Sequence, residues 1–168
     1  MKKILFVIVG LVLALGLVLP AAAQDGVEPQ EFHGASIQKT VLGPGGFYKA
    51  HEGDTVTAYI KVSNVDEFGC TLTIDSISDV VHHKSGDVHT GNLLPAPVTL
   101  APPAPPLPGE SVTVSHSYVV EVGDNNPLPD FASATGIDPV RGPFPLGYPG
   151  GIDIIHPCIE VTKTAKPT

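Results

Sequence analysis

The sequence predicts an all-β protein, an immunoglobulin-like antiparallel sandwich of about seven strands. Three observations predict it. Short runs rich in Val, Ile and Thr alternate apolar and polar residues with period two, as half-buried strands do. Glycine and proline number 18 each, with no three-residue period, so they punctuate turns rather than build a fibre. Amphipathic helical spacing is hard to find after residue 23, and two facing layers let such strands bury each other's apolar sides.

The elements follow in order. Met1 to Ala23 reads as a signal peptide: Lys2 and Lys3 start it, Ile4 to Leu19 is apolar, and Ala21-Ala22-Ala23 suits a signal peptidase cutting before Gln24. The apolar run is shorter than the roughly 20 residues a membrane span needs. Residues 24–34 are a polar, loose lead-in. Ser36 to Val41 is the first strand, and Gly43-Pro44-Gly45-Gly46 breaks it. After a turn at Glu52-Gly53-Asp54 comes the clearest strand, in which Val56, Ala58, Ile60 and Val62 share one face. Thr71 to Asp79 is the next. Leu72 and Ile74 share a face while Ile77 falls on the other, which predicts a bulge near Asp75 and Ser76.

Val81 to Gly91 is polar and His-rich, and reads as a loop or a weak edge strand. The prolines from Pro95 to Pro108 predict extended polyproline with brief pairing at Val98 to Leu100. A second strong strand sets Val112, Val114, His116, Tyr118 and Val120 on one face. Phe131 to Ile137 is a small-residue strand, and 142–151 reads as a Gly/Pro loop. Gly151 to His156 is the last strand, with Ile152 and Ile154 inward. The expected core is Val56, Ala58, Ile60, Val62, Val112, Val114, Tyr118 and Ile154.

The formal net charge is −8, and cleavage would remove two lysines more. Such a chain repels nucleic acid and anionic membrane surfaces. No Gly-x-Ser-x-Gly elbow, carboxylate pair or phosphate-binding glycine loop stands out, so no enzyme activity and no cofactor are expected. His82, His83 and His89 with Asp79 and Asp87 are candidate ligands for zinc or copper, although their spacing matches no closed site. Asp124, Asn125, Asn126 and Asp130 are oxygen-rich, and a turn with Asx chemistry explains them as well as calcium does. With no Trp, four Tyr and six Phe, the chain offers little of the aromatic platform that carbohydrate-binding domains display.

The tail repeats the head. Ala35-Ser36-Ile37-Gln38-Lys39-Thr40 and Ile159-Glu160-Val161-Thr162-Lys163-Thr164 read as the same strand. Domain 35–157 is therefore followed, at 158–168, by the start of a second repeat or a linker. The blocks Glu52–Asn64, Thr71–Thr73 with Ser76–Asp79, Leu107–Val114, Ala132–Gly136 and Ile159–Thr168 resemble, in order, those of a prokaryotic surface-protein conserved repeat, a domain of unknown function (number eleven). The resemblance implies an Ig-like sandwich in long secreted or cell-surface proteins with structural or adhesive roles. Its partners would be further repeats of the same protein and an envelope or extracellular protein or glycan surface. It carries no catalytic residues.

In such a sandwich Cys70 and Cys158 fall at opposite ends, too far apart for Cα atoms that a disulfide holds within about 7 Å. They are therefore expected not to pair with each other. Cys158 aligns with Gly34 ahead of the repeated strand, so its partner would sit in the next copy. The two functional readings are a non-catalytic exported module and a metal- or ligand-binding β-domain using the 79–91 loop.

Overall fold

Valine and threonine in alternation hold a backbone extended, because the branched side chain packs well on a pleated surface. In the computed structural model, which describes residues 30–156, such runs make ten strands. They are β1 (Gln30–Phe32), β2 (Ala35–Leu42), β3 (Lys49–Ala50), β4 (Thr55–Asn64), β5 (Leu72–His83), β6 (Gly86–His89), β7 (Val98–Leu100), β8 (Ser111–Val119), β9 (Leu128–Asp138) and β10 (Gly142–Ile154). A 3-10 turn at Pro44–Gly46 separates β2 from β3. The signal segment, Cys158 and the repeated tail strand lie outside the described residues. The end of the lead-in is not loose: β1 pairs with β2 through a two-residue turn, His33-Gly34, in which both residues have positive φ.

The strands form two sheets. One has the order β1-β2-β4-β8. The other runs β3-β10-β9-β5-β6, with β7 also on β5. This is the immunoglobulin arrangement: β2, β4 and β8 stand as strands A, B and E, and β10, β9, β5 and β6 as G, F, C and C′. The short β3 runs parallel to the end of β10, with Lys49 opposite Asp153 and Ala50 opposite Ile154.

The phase slip in β5 is real. Pairing with β9 shifts register between Ile74 and Ser76, and after the bulge Ile77 faces inward again. The His-rich stretch differs from its expectation. Residues 81–83 complete β5, and β6 folds back on them as a hairpin with Val81 opposite Val88. Only β6 has the edge character foreseen. Between β6 and β7 the edge of β5 is satisfied by side chains together with the Thr90 and Leu93 amides, which donate to the Asp79 and Ile77 carbonyls. Asn92 accepts from the Ile77 amide and donates to the Asp75 carbonyl, and Thr90 accepts from the Asp79 amide.

The larger correction is 142–151, which is no loop but the body of the 13-residue β10. Proline cannot donate to a ladder. In the pairing with β9, however, Pro143, Pro145 and Pro149 all have odd numbers, as does Pro129, which lies opposite Gly151. Antiparallel residues alternate between those bonded to the partner strand and those turned from it. The prolines share one parity, so the even-numbered residues carry the ladder.

Val56, Ala58, Ile60, Val62, Tyr118 and Ile154 are buried as expected, and Ile152 with them. Val112 and Val114 are only half-buried, because β8 ends its sheet. Each fully buried aliphatic side chain contributes on the order of 1.5–3 kcal/mol.

Candidate functional site

The core is not continuous. One apolar cluster gathers Ile37, Ile60, Ile77, Ala132, Phe144 and Tyr148 among others. A second gathers Val41, Val56, Val81, Leu128, Tyr118 and Ile152. Between the two lies a charged layer, and strand alternation builds it. Lys39 sits between Ile37 and Val41 on the inward face of β2. Asp79 holds the same place between Ile77 and Val81 on β5, and Asp130 between Leu128 and Ala132 on β9. His116 joins from β8, between Val114 and Tyr118.

Lys39, Asp79 and Asp130 have no exposed side-chain surface. The Lys39 Nζ donates to both carboxylate oxygens of Asp79, at 2.5 and 2.6 Å. It also lies 2.8 Å from Asp130 Oδ1, a close ionic contact that lacks the direction of a hydrogen bond. His116 Nε2 is 2.5 Å from Asp79 Oδ2, and the Tyr118 hydroxyl donates to Asp130 Oδ2 at 3.0 Å. The His116 side chain keeps 13% of its surface exposed, so the layer reaches solvent through it.

Environment drives the two carboxyls apart. Burial alone would raise Asp79, but the His116 hydrogen bond and the Lys39 charge outweigh it and hold the group below the usual carboxylate range. At Asp130 burial prevails, aided by the charge of Asp79 and opposed by Lys39, and the group rises. Burial and the neighbouring Asp130 push the Tyr118 phenol far up, so it stays a donor. One glycine makes room for the arrangement. Gly150 lies opposite Asp130 on β10, where a Cβ would run into Asp130 Oδ1 and stand 3.0 Å from Lys39 Cδ.

The sequence-predicted metal ligands do not converge. Successive residues of β5 point to opposite faces. His82 pairs with Asp87 on the exposed hairpin at 2.9 Å, while His83 turns inward to Asp124 at 2.8 Å. His89 is exposed on β6, and Asp79 belongs to the buried layer. The oxygen-rich residues disperse too. Asp124 accepts from the Lys84 and Glu121 amides, which with His83 pull its carboxyl down despite burial. Asn126 exchanges two hydrogen bonds with the Ile154 backbone, and Asp130 faces Lys39. Among the described residues, His83, Glu121 and Asp124 bring ligand atoms within 4.8 Å of one another.

A second ionic cluster closes the opposite end. Arg141 donates to Asp66 Oδ1 from both terminal nitrogens, at 3.0 Å each, and to Asp138 Oδ2 at 2.7 Å. Asp138 Oδ1 accepts the Val140 and Arg141 amides, and Asp66 Oδ2 the Cys70 amide at 2.6 Å. Burial and the Asp66 carboxylate raise the Cys70 thiol, which makes it a poor nucleophile.

Sequence reasoning missed Lys39 and the partnership of Asp79 with Asp130. The signal was present: each is a charged residue in phase with an apolar stripe.

No family model and no curated protein matches the chain. Among solved structures, a Bordetella pertussis protein described as ApaA is similar over 74% of this chain and 95% of that one, with a TM-score of 0.51 and 10% identity. A structural-genomics target, SoR45, matches over 83% of this chain and 100% of that one at TM-score 0.48 and 9% identity. The C-terminal domain of wzt matches over 84% and 88% at TM-score 0.39 and 13% identity. The first is a likeness of fold alone.

Proposed function

We propose that the chain is a non-catalytic, exported Ig-like module serving as a structural or adhesive element of a cell-surface or extracellular protein. The observation that carries this reading is the buried charged layer. Lys39 on the first long strand is gripped by carboxylates of the opposing sheet, so the ionisable groups brought together serve cohesion between layers. The parallel pairing of β3 with β10 adds to it, since tension along the chain would load those strands in shear. Supporting features are the signal-like segment 1–23, the acidic surface and the ordered blocks that resemble a surface-protein repeat. Its partners are further repeats of the same protein and an envelope or extracellular protein or glycan surface.

Expression of the full chain in a bacterium, followed by fractionation and N-terminal sequencing, tests export. The expected form begins at Gln24 and lies outside the cytoplasm. A cytoplasmic chain retaining residues 1–23 overturns the reading.

A second reading, a cation-binding domain, is favoured by one observation, the approach of His83, Glu121 and Asp124. Both Asp124 oxygens are already engaged by amides and by His83, which weakens it. Calorimetric titration with zinc, copper and calcium tests it, and absence of heat from all three removes it.

A further inference from the structure

A buried lysine held by one carboxylate is an ion pair. A buried lysine held against two carboxyls, one touching it through both oxygens and the other shifted toward its acid form by burial, is a set of reactants. We propose that Lys39 and Asp130 condense into an intramolecular isopeptide bond, with Asp79 as the group that moves the proton.

The amine is a nucleophile only after it loses a proton, and the carboxyl carbon is an electrophile only when its oxygen is protonated. Asp79 contacts the Lys39 Nζ through both oxygens, so the acceptor for that proton is in place. Burial favours the acid form of Asp130, which is the form amines attack. The 2.8 Å between Nζ and Asp130 Oδ1 is an approach distance without a directed hydrogen bond to hold the nitrogen off the carbon.

The step balances without a further reagent. Asp79 takes one proton from the Lys39 ammonium. The freed amine attacks Asp130 Cγ, and an N–C bond forms. Charge developing on Oδ2 is met by the Tyr118 hydroxyl that already donates there. A second amine proton passes, through Asp79, to the departing Oδ1 hydroxyl. The C–O bond breaks and water leaves. Lys39 ends as an amide N–H, Oδ2 as its carbonyl oxygen, and Asp79 holds the proton that came from the ammonium. His116, against Asp79 Oδ2 and partly exposed, is a positioning residue with a path for that proton to solvent.

The surroundings fit. The two apolar clusters above and below exclude water and so oppose hydrolysis. Gly150 leaves space for the lysine stem beside Asp130. The bond would tie strand A to strand F across the sandwich, close to where antibody domains place an inter-sheet disulfide between B and F. It requires the folded core and is independent of where the protein resides.

The test is the intact mass of the purified full chain, with fragmentation of its digest. The expected product is lighter than its sequence by one water, with a branched peptide joining the Lys39 and Asp130 segments. Asp130→Asn should reach the same product mass by releasing ammonia instead. Asp79→Ala, or the isosteric Asp79→Asn if the first does not fold, should remain at full sequence mass. His116→Gln should still form the bond but with an altered pH profile of its rate after refolding. A folded wild-type chain that stays at full mass after prolonged incubation overturns the proposal. So does a branch point elsewhere, or a folded Asp79 variant that cross-links at the wild-type rate.

Discussion

Among the described residues, a pair of buried aspartates shares one cation in two places, and they are built differently. At the end of the sandwich the cation is Arg141, with 29% of its side chain exposed, between Asp66 and Asp138. One oxygen of each carboxylate there accepts backbone amides, so the cluster fastens turns. In the middle the cation is Lys39, fully buried between Asp79 and Asp130. There, among the described residues, the hydrogen-bond partners of the carboxylates are side chains. A guanidinium stays charged and recognises carboxylates through its planar fork, whereas an amine is a compact charge that can give up its proton. Like charges therefore make a clamp at one level and a reactive layer at the other.

The contrast can be broken or sharpened by substitution. The largest effect belongs to Lys39→Ala, which strands two buried carboxyls and should cost about 3–5 kcal/mol in urea denaturation. Lys39→Met should recover part of it, because the apolar replacement fills the same space. If Lys39→Ala costs no more than Arg141→Ala, the distinction fails. Next comes Gly150→Ala, whose added methyl meets Asp130 and Lys39, with an expected loss of about 1–3 kcal/mol from overpacking. Arg141→Lys should lower the denaturation midpoint less than either, since one ammonium replaces the fork but the charge remains.

The pH response separates the two places further. Asp66 and Asp138 sit below the usual carboxylate range: burial would raise both, but amides and Arg141 outweigh it. Their folded values are depressed, so their stabilisation is present above the ordinary carboxylate range and is lost as pH falls through the folded values. Asp79 behaves likewise, but Asp130 is raised, so its share is present in acid and is lost as pH rises through its folded value. The middle layer should therefore respond less to acid than the end. Denaturation midpoints from neutral pH down to acid should show Asp138→Asn flattening the acid limb, whereas Asp130→Asn, which reaches the same cross-linked product, should leave it as in the wild type. The smallest effect is expected of Phe68→Ala. That ring lies 5.3 Å from Arg141 but is 84% exposed, and the midpoint should hardly move.

Much of the frame was legible in the sequence because alternation is a local property. β4 and β8 announce their faces, and the slip at Asp75 and Ser76 announces the bulge. β10 was hidden because proline reads as a breaker wherever it occurs. Its spacing held the answer, since breakers in a loop have no reason to share one parity. His83 was grouped with His82 and His89 by proximity along the chain, although a strand sends neighbours to opposite faces. The charged layer was illegible as a unit because its members lie on four strands far apart in sequence. Each could still be seen singly, as a charge where the stripe demanded an aliphatic residue. No local pattern states which of these odd residues will meet.

The parity of the prolines has a consequence for how copies can meet. A sheet grows from molecule to molecule only if it can be extended on both sides. Beside β9, Pro143, Pro145 and Pro149 blunt one flank of the larger sheet. In the smaller sheet β8 presents nine residues without proline or formal charge, but the far border is the three-residue β1. Among the described residues, then, β8 is a long border with no equal opposite it. Two copies joined through β8 would satisfy each other about a twofold axis and leave little to recruit a third. Crowding should yield closed pairs, not fibres.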